Sequence, residues 1–116
     1  MTNPKRGEFA LSLGSQTYNC KINMDVMMRI EQNIGGSLLK MANQMAEADI
    51  SAGQIIAVLT PVIRSSGTDV KDSDVKKLVW DAGLTNGVRA VAEVVAFIVG
   101  GGEDALEGNE VEAAAS

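Results

Sequence analysis

Apolar and polar residues alternate with period two at the start of the chain. Phe9, Leu11 and Leu13 are separated by Ala10 and Ser12, and Tyr18, Cys20 and Ile22 by Asn19 and Lys21. This is the pattern of two half-buried strands. Gly14-Ser15 between them suits a two-residue type II′ turn, which needs positive φ at its first position. That turn sets Leu11 opposite Tyr18 and Phe9 opposite Cys20, so both apolar sets share one face. Residues 8–22 are therefore expected to form a hairpin. After Ile22 the period changes to that of helices. Asn23 can cap a helix ending at Gly35-Gly36, and Ser37 can cap a second carrying Leu38, Leu39, Met41, Ala42 and Met45. Ser51 with Gln54 forms a capping-box pattern opening a third helix. Asp72 or Ser73 caps a fourth ending before Gly83, and Thr85 or Asn86 starts a fifth ending at Gly100-Gly101-Gly102. The expected helices are 23–34, 37–48, 51–64, 73–82 and 86–99. An isolated hairpin is marginal in water, so it must lay its apolar face on these helices. The expected fold is α+β, mostly α: an N-terminal hairpin packed on about five short helices in one domain over residues 1–102.

Helical projections sort the faces. On the third helix Ile55, Ile56, Val58, Leu59, Val62 and Ile63 share one side. Pro61 falls with Ala57, Thr60 and Arg64 on the other, where it is expected to kink the helix outward. On the fifth helix only Arg89 and Glu93 mark a polar edge, so that helix is either central or covered by a partner.

Composition narrows the chemistry. The chain has 116 residues, 12.2 kDa and a net charge of −5. All ten bases lie between Lys5 and Arg89, whereas Glu103, Asp104, Glu107, Glu110 and Glu112 follow with no base among them. Ten acids and ten bases remain before residue 103, so the net charge belongs to the segment 103–116. Its composition reads as a disordered acidic tail. The balance is not that of a nucleic-acid binder. With one cysteine and no histidine, Cys20 has neither a disulfide partner nor an imidazole base, and zinc ligation of the Cys/His type lacks ligands. Asp69, Asp72 and Asp74 lack the central glycine and closing glutamate of an EF-hand. Gly100–Gly102 precede no Lys-Ser or Lys-Thr pair and so form no phosphate loop. No catalytic, cofactor-binding or metal-binding residue is singled out, and a non-enzymatic protein without a cofactor is expected. The N-terminus carries no apolar stretch after its basic residues. The longest apolar stretch, Val88 to Val99, is interrupted by Arg89 and Glu93 and falls short of the roughly 20 residues a membrane span needs. A cytoplasmic protein without membrane contact is expected.

Three features exceed what a bare core requires. Met24, Met27, Met28, Met41 and Met45 crowd the first two helices. They either fill gaps in a core poor in aromatics or offer an adaptable surface to partners. On the first helix the apolar arc covers about 200°, roughly twice one buried face, which makes Met24 and Met28 at its edge the partner candidates. Trp80 stands opposite the inward stripe of Val75, Leu78, Val79 and Ala82, between Lys76 and Lys77. Either the hairpin or the N-terminal segment covers it, or it is an exposed aromatic anchor. On the fifth helix Phe97 lies almost opposite Val91 and Val95, and is the candidate there for an intersubunit or partner contact.

Several weak motifs in order carry a resemblance. Arg6-Gly7-Glu8, Leu11-Ser12-Leu13-Gly14 and Tyr18 open the chain. Ile30-Glu31 with Gly35, the stretch Arg64 to Gly67, the Asp-Val helix and Gly83-Leu84 follow. In this order the chain, over residues 3–100, resembles the tail assembly chaperones (small tail proteins) of gene transfer agents and related siphophages. The resemblance implies a protein of the bacterial host cytoplasm that binds the tape measure protein and tail tube protein during tail morphogenesis and is absent from the finished particle. A second copy of the chain is a further partner it admits. The alternative is a structural tail protein, tube or minor tail, retained in the particle. A third reading, a small DNA-binding regulator, would use the fourth and fifth helices around Gly83 as a helix-turn-helix with Asn86 and Arg89 as readers.

Overall fold

The computed structural model of the chain describes residues 7–100. The acidic segment 103–116, expected to be disordered, lies outside the described residues. Strands β1 (Glu8–Leu13) and β2 (Gln16–Lys21) pair antiparallel with Leu11 facing Tyr18 and Phe9 facing Cys20. The register is the one the turn chemistry predicts. Gly14 takes φ +64° while Ser15 stays negative, the signs of a type II′ rather than a type I′ turn. Leu11, Leu13 and Cys20 are buried, with Phe9 and Tyr18 half-buried beside them. At the mouth of the hairpin the Gly7 carbonyl accepts a 2.7 Å hydrogen bond from the Ile22 N–H.

Five helices follow: α1 (Met24–Ile34), α2 (Leu38–Ala46), α3 (Ala52–Arg64), α4 (Asp72–Ala82) and α5 (Leu84–Val99). Their starts show why the sequence breaks where it does. Asn23 Oδ1 accepts from the Val26 N–H (3.0 Å), and Ser37 Oγ accepts from the Lys40 N–H (3.1 Å). Ser51 and Gln54 exchange both bonds of a capping box. The Glu31 carboxylate accepts from the Leu38 N–H (3.0 Å), tying the end of α1 to the start of α2. Two expected starts are corrected. At α4 the Asp74 carboxylate accepts from the Lys71 N–H (2.8 Å), so Asp72 already lies inside the helix. At α5 the helix begins at Leu84 directly after Gly83. The Asn86 side chain points backward instead and donates to the Ala82 carbonyl (2.6 Å), satisfying an end group of α4.

Helix α3 lies at the centre, against α1, α4, α5 and β2. Every residue from Val58 to Ile63 is buried, including Thr60 and Pro61, which the projection placed on an outward side. Helix α1 covers that side. Proline has no N–H, so the Ala57 carbonyl four residues earlier loses its helical donor. Asn33 of α1 supplies one: its Nδ2 donates to the Ala57 carbonyl at 3.1 Å. Pro61 is thus buried at the contact between α1 and α3, on the side the projection turned outward.

Helix α5 is covered within the chain by β1, α2, α3 and α4. Gly87 permits the close approach, since a Cβ there would stand 3.0 Å from Val79 Cγ1 and 3.3 Å from Ile55 Cγ2. Phe97, expected at an interface, is only 2% exposed and packs its ring on Phe9 with centroids 5.0 Å apart. The projection fails here because β1 lies over the face opposite Val91 and Val95, and α5 is buried from both directions.

Replacing Asn33 by alanine leaves the Ala57 carbonyl without its donor and is expected to cost about 0.5–1 kcal/mol in urea denaturation. In a Pro61→Ala background, where the backbone can supply its own bond, the same replacement should cost close to nothing. Equal costs in both backgrounds would contradict the assignment.

Candidate functional site

Three of the four candidate partner residues are on the surface and the fourth is in the core. Trp80 is 85% exposed: Val75 and Val79 turn inward on the other side of α4, and the hairpin leaves the indole uncovered. Leu84, at the start of α5, is exposed close by in sequence. Met24 and Met28, 65% and 51% exposed, sit at the edge of the apolar arc of α1. The other methionines of the pair of helices point inward, with Met41 buried and Met27 and Met45 half-buried. The methionines therefore divide by position, three packed against the core and two left exposed. Phe97 offers no surface.

Cys20 is buried and Tyr18 half-buried beside it. Burial raises the Cys20 thiol from 9.0 to about 11, against a smaller lowering by the Ser65 hydroxyl. Its Sγ lies 3.7 Å from the Tyr18 carbonyl. Burial, with a smaller contribution from Cys20, also raises the Tyr18 phenol. Among the described residues no three of His, Cys, Asp and Glu converge on one point. The two residues offered as DNA readers are both engaged in the chain. Asn86 bonds the Ala82 carbonyl, and Arg89 Nη1 reaches Glu93 Oε2 at 2.7 Å. The exposed stripe of α5 through Thr85, Arg89, Ala92, Glu93 and Ala96 carries one base and one acid, with no surplus of positive charge for a phosphate backbone.

The structure brings together a surface that the sequence patterns did not single out. Two adjoining clefts, of about 560 and 310 Å³, run along the seam of α1, α3 and the start of α4 and share Asn33 and Arg64. Arg29, Gln32 and Ser65 line the smaller cleft, and Thr60, Asp72 and Lys76 the larger. Arg64 is fixed there by its Nε, which donates to the Val70 carbonyl at 2.7 Å. A four-residue spacing put Arg29 and Asn33 on one face of α1. Only the packing of α1 on the Pro61 side of α3 shows that this face meets Arg64.

The family model described as "Phage tail tube protein, GTA-gp10" matches residues 6–101. The chain belongs to this family. No curated protein and no solved structure matches it. Membership makes the chain a phage or gene-transfer-agent tail protein, as the ordered motifs implied. The description names the tail tube, whereas the motifs had suggested a tail assembly chaperone. The match takes in every described residue of this tail tube family member and leaves 102–116 outside. Among the described residues no single helix is long and apolar enough to cross a membrane.

Because folding raises the Cys20 pKa, the folded chain keeps a proton that the unfolded chain releases. The associated stability is whole below pH 9 and lost as pH rises toward 11. Wild-type protein should lose stability more steeply than Cys20→Ala between pH 9 and 11, with the remaining slope partly from Tyr18. Parallel curves from pH-dependent denaturation would contradict this.

Proposed function

We propose that the chain acts in tail morphogenesis through protein–protein contact, as a structural tail protein associated with the tube and retained in the particle. The observation that carries this reading is the family match over residues 6–101. The surface is consistent with it: an exposed tryptophan and exposed methionines are the residue types enriched at interfaces, and Trp80, Met24 and Met28 supply them. The reading calls for neither enzymatic activity nor a cofactor.

A second reading, the tail assembly chaperone, is favoured by one specific observation. The sheet of the described residues is a single two-stranded hairpin, and 64% of those residues are helical. A ring closed through continuous strands needs more sheet than that. Helical surfaces with adaptable methionines suit a long amphipathic client such as a tape measure protein. In this reading the protein binds the tape measure and tail tube proteins in the bacterial cytoplasm and leaves before the particle is finished.

Mass spectrometry of purified particles, paired with co-expression of the tape measure protein, separates the two. The structural reading predicts a fixed number of copies per particle. The chaperone reading predicts absence from particles and co-elution with a tape measure protein that is insoluble alone. Under either reading Trp80→Ala or Met28→Ala should weaken the partner contact about tenfold or more. Absence from particles together with indifference to both tail partners would overturn the proposal.

A further inference from the structure

Of the asparagines in the chain, Asn86 is the one that glycine follows. Such a pair is prone to lose the side-chain amide. The backbone nitrogen of the next residue attacks the side-chain carbonyl carbon, and glycine, lacking a Cβ, leaves that approach open. The Gly87 nitrogen gives up its proton and bonds Asn86 Cγ, closing a succinimide ring. The Cγ–Nδ2 bond breaks, and Nδ2 takes the proton and leaves as ammonia. Water then opens the ring at either carbonyl. One opening gives aspartate at position 86, and the other an isoaspartyl link that routes the backbone through the side-chain carbon.

The fold ties down each group this reaction needs free. Asn86 sits in the first turn of α5, just after the chain bends by 116° from α4. Its Nδ2 donates to the Ala82 carbonyl at 2.6 Å, which turns the side chain back toward α4. The Gly87 N–H donates to the Gly83 carbonyl at 3.1 Å, so the attacking nitrogen is held protonated by an acceptor inside the chain. The ring also fixes the torsion about the Cα–C bond of Asn86 outside the helical range, so this residue must leave the helix before it can cyclise.

Leaving the helix disturbs the core. Gly87 is buried, and a Cβ there would stand 3.0 Å from Val79 Cγ1 and 3.3 Å from Ile55 Cγ2. The start of α5 therefore presses directly on α4 and on the central helix α3. The hairpin turn rests on the same corner, since a Cβ at Gly14 would lie 3.4 Å from Ala82 Cβ. Unwinding the first turn of α5 pulls this contact set apart, and the corner opens together with the core.

We infer that Asn86–Gly87 is a latent deamidation site, held inert by the packed corner between α4 and α5 and converted when the chain unfolds. The product does not fit back into the corner. Aspartate at position 86 has no N–H to give the Ala82 carbonyl, and its carboxylate would face that oxygen. The isoaspartyl link adds a backbone carbon in the turn where Gly87 meets Val79 and Ile55. A chain that has stayed unfolded is thereby altered at the corner next to the exposed Trp80 and Leu84.

The test holds the full chain at mildly alkaline pH across a urea series and follows the peptide containing Asn86 by mass spectrometry. Replacement of NH2 by OH is read as a mass gain, and circular dichroism gives the unfolded fraction in each sample. Conversion in the native protein should be slower than in the unfolded chain by at least about a hundredfold, because only the small open fraction reacts. Across the series the rate should rise with the unfolded fraction and not ahead of it. Isoaspartyl chains, separated and refolded, should unfold at lower urea than unconverted chains from the same sample. A smaller slowing, a rise before the unfolding transition, or isoaspartyl chains as stable as unconverted ones would overturn the inference.

Discussion

The structure depends on the enclosure of α3. A helix with one wet side can leave backbone and side-chain polarity to water, but from Val58 to Ile63 this one has no wet side. Pro61 leaves the Ala57 carbonyl at the edge of this stretch without a helical donor, and Asn33 of the neighbouring helix bonds it at a solvent-exposed rim. The neighbours must also approach closely, and Gly87 allows α5 to do so where any side chain would crowd Val79 and Ile55. Helix α1 lies on the proline side, α4 and α5 occupy other flanks, and the hairpin closes over α3 and α5 with its apolar face. Helix α2 does not lie on this post but packs on α5 and α1.

Local chemistry was legible in the sequence, whereas enclosure was not. The hairpin register follows from a turn and a period-two pattern that agree, because slipping one residue would turn Leu11 and Cys20 to water. The starts of α1, α2 and α3 follow from side chains that satisfy helix-end donors within three residues. Where the satisfying partner lies in another element, sequence reading goes astray. Asn86 looked like a start for α5 and serves the end of α4. Pro61 looked like part of an outward side because the helix that covers it lies elsewhere in the chain, with its donor Asn33 standing 24 positions before Ala57. Phe97 looked like surface because a projection knows one covered face, while α5 has two.

The same enclosure sorts the surface from the core. With the apolar faces of α3 and α5 consumed inside the chain, the large apolar groups left outside are few, and Trp80, Met24 and Met28 are among them. They stand on helices α1 and α4, which flank the post and each keep one side in water. Family membership places this surface on a tail protein, and the basic clefts add a second, polar surface along the seam between the same two helices.

The central claim is that Trp80 lies on the surface and Phe97 in the core. The most direct test is urea denaturation of Trp80→Ala and Phe97→Ala side by side, followed by circular dichroism so that neither curve relies on the indole. The account predicts that Trp80→Ala stays within about 0.5 kcal/mol of wild type, while Phe97→Ala loses about 3–5 kcal/mol. A stable Phe97→Ala protein, or a Trp80→Ala protein as damaged as that variant, would contradict it.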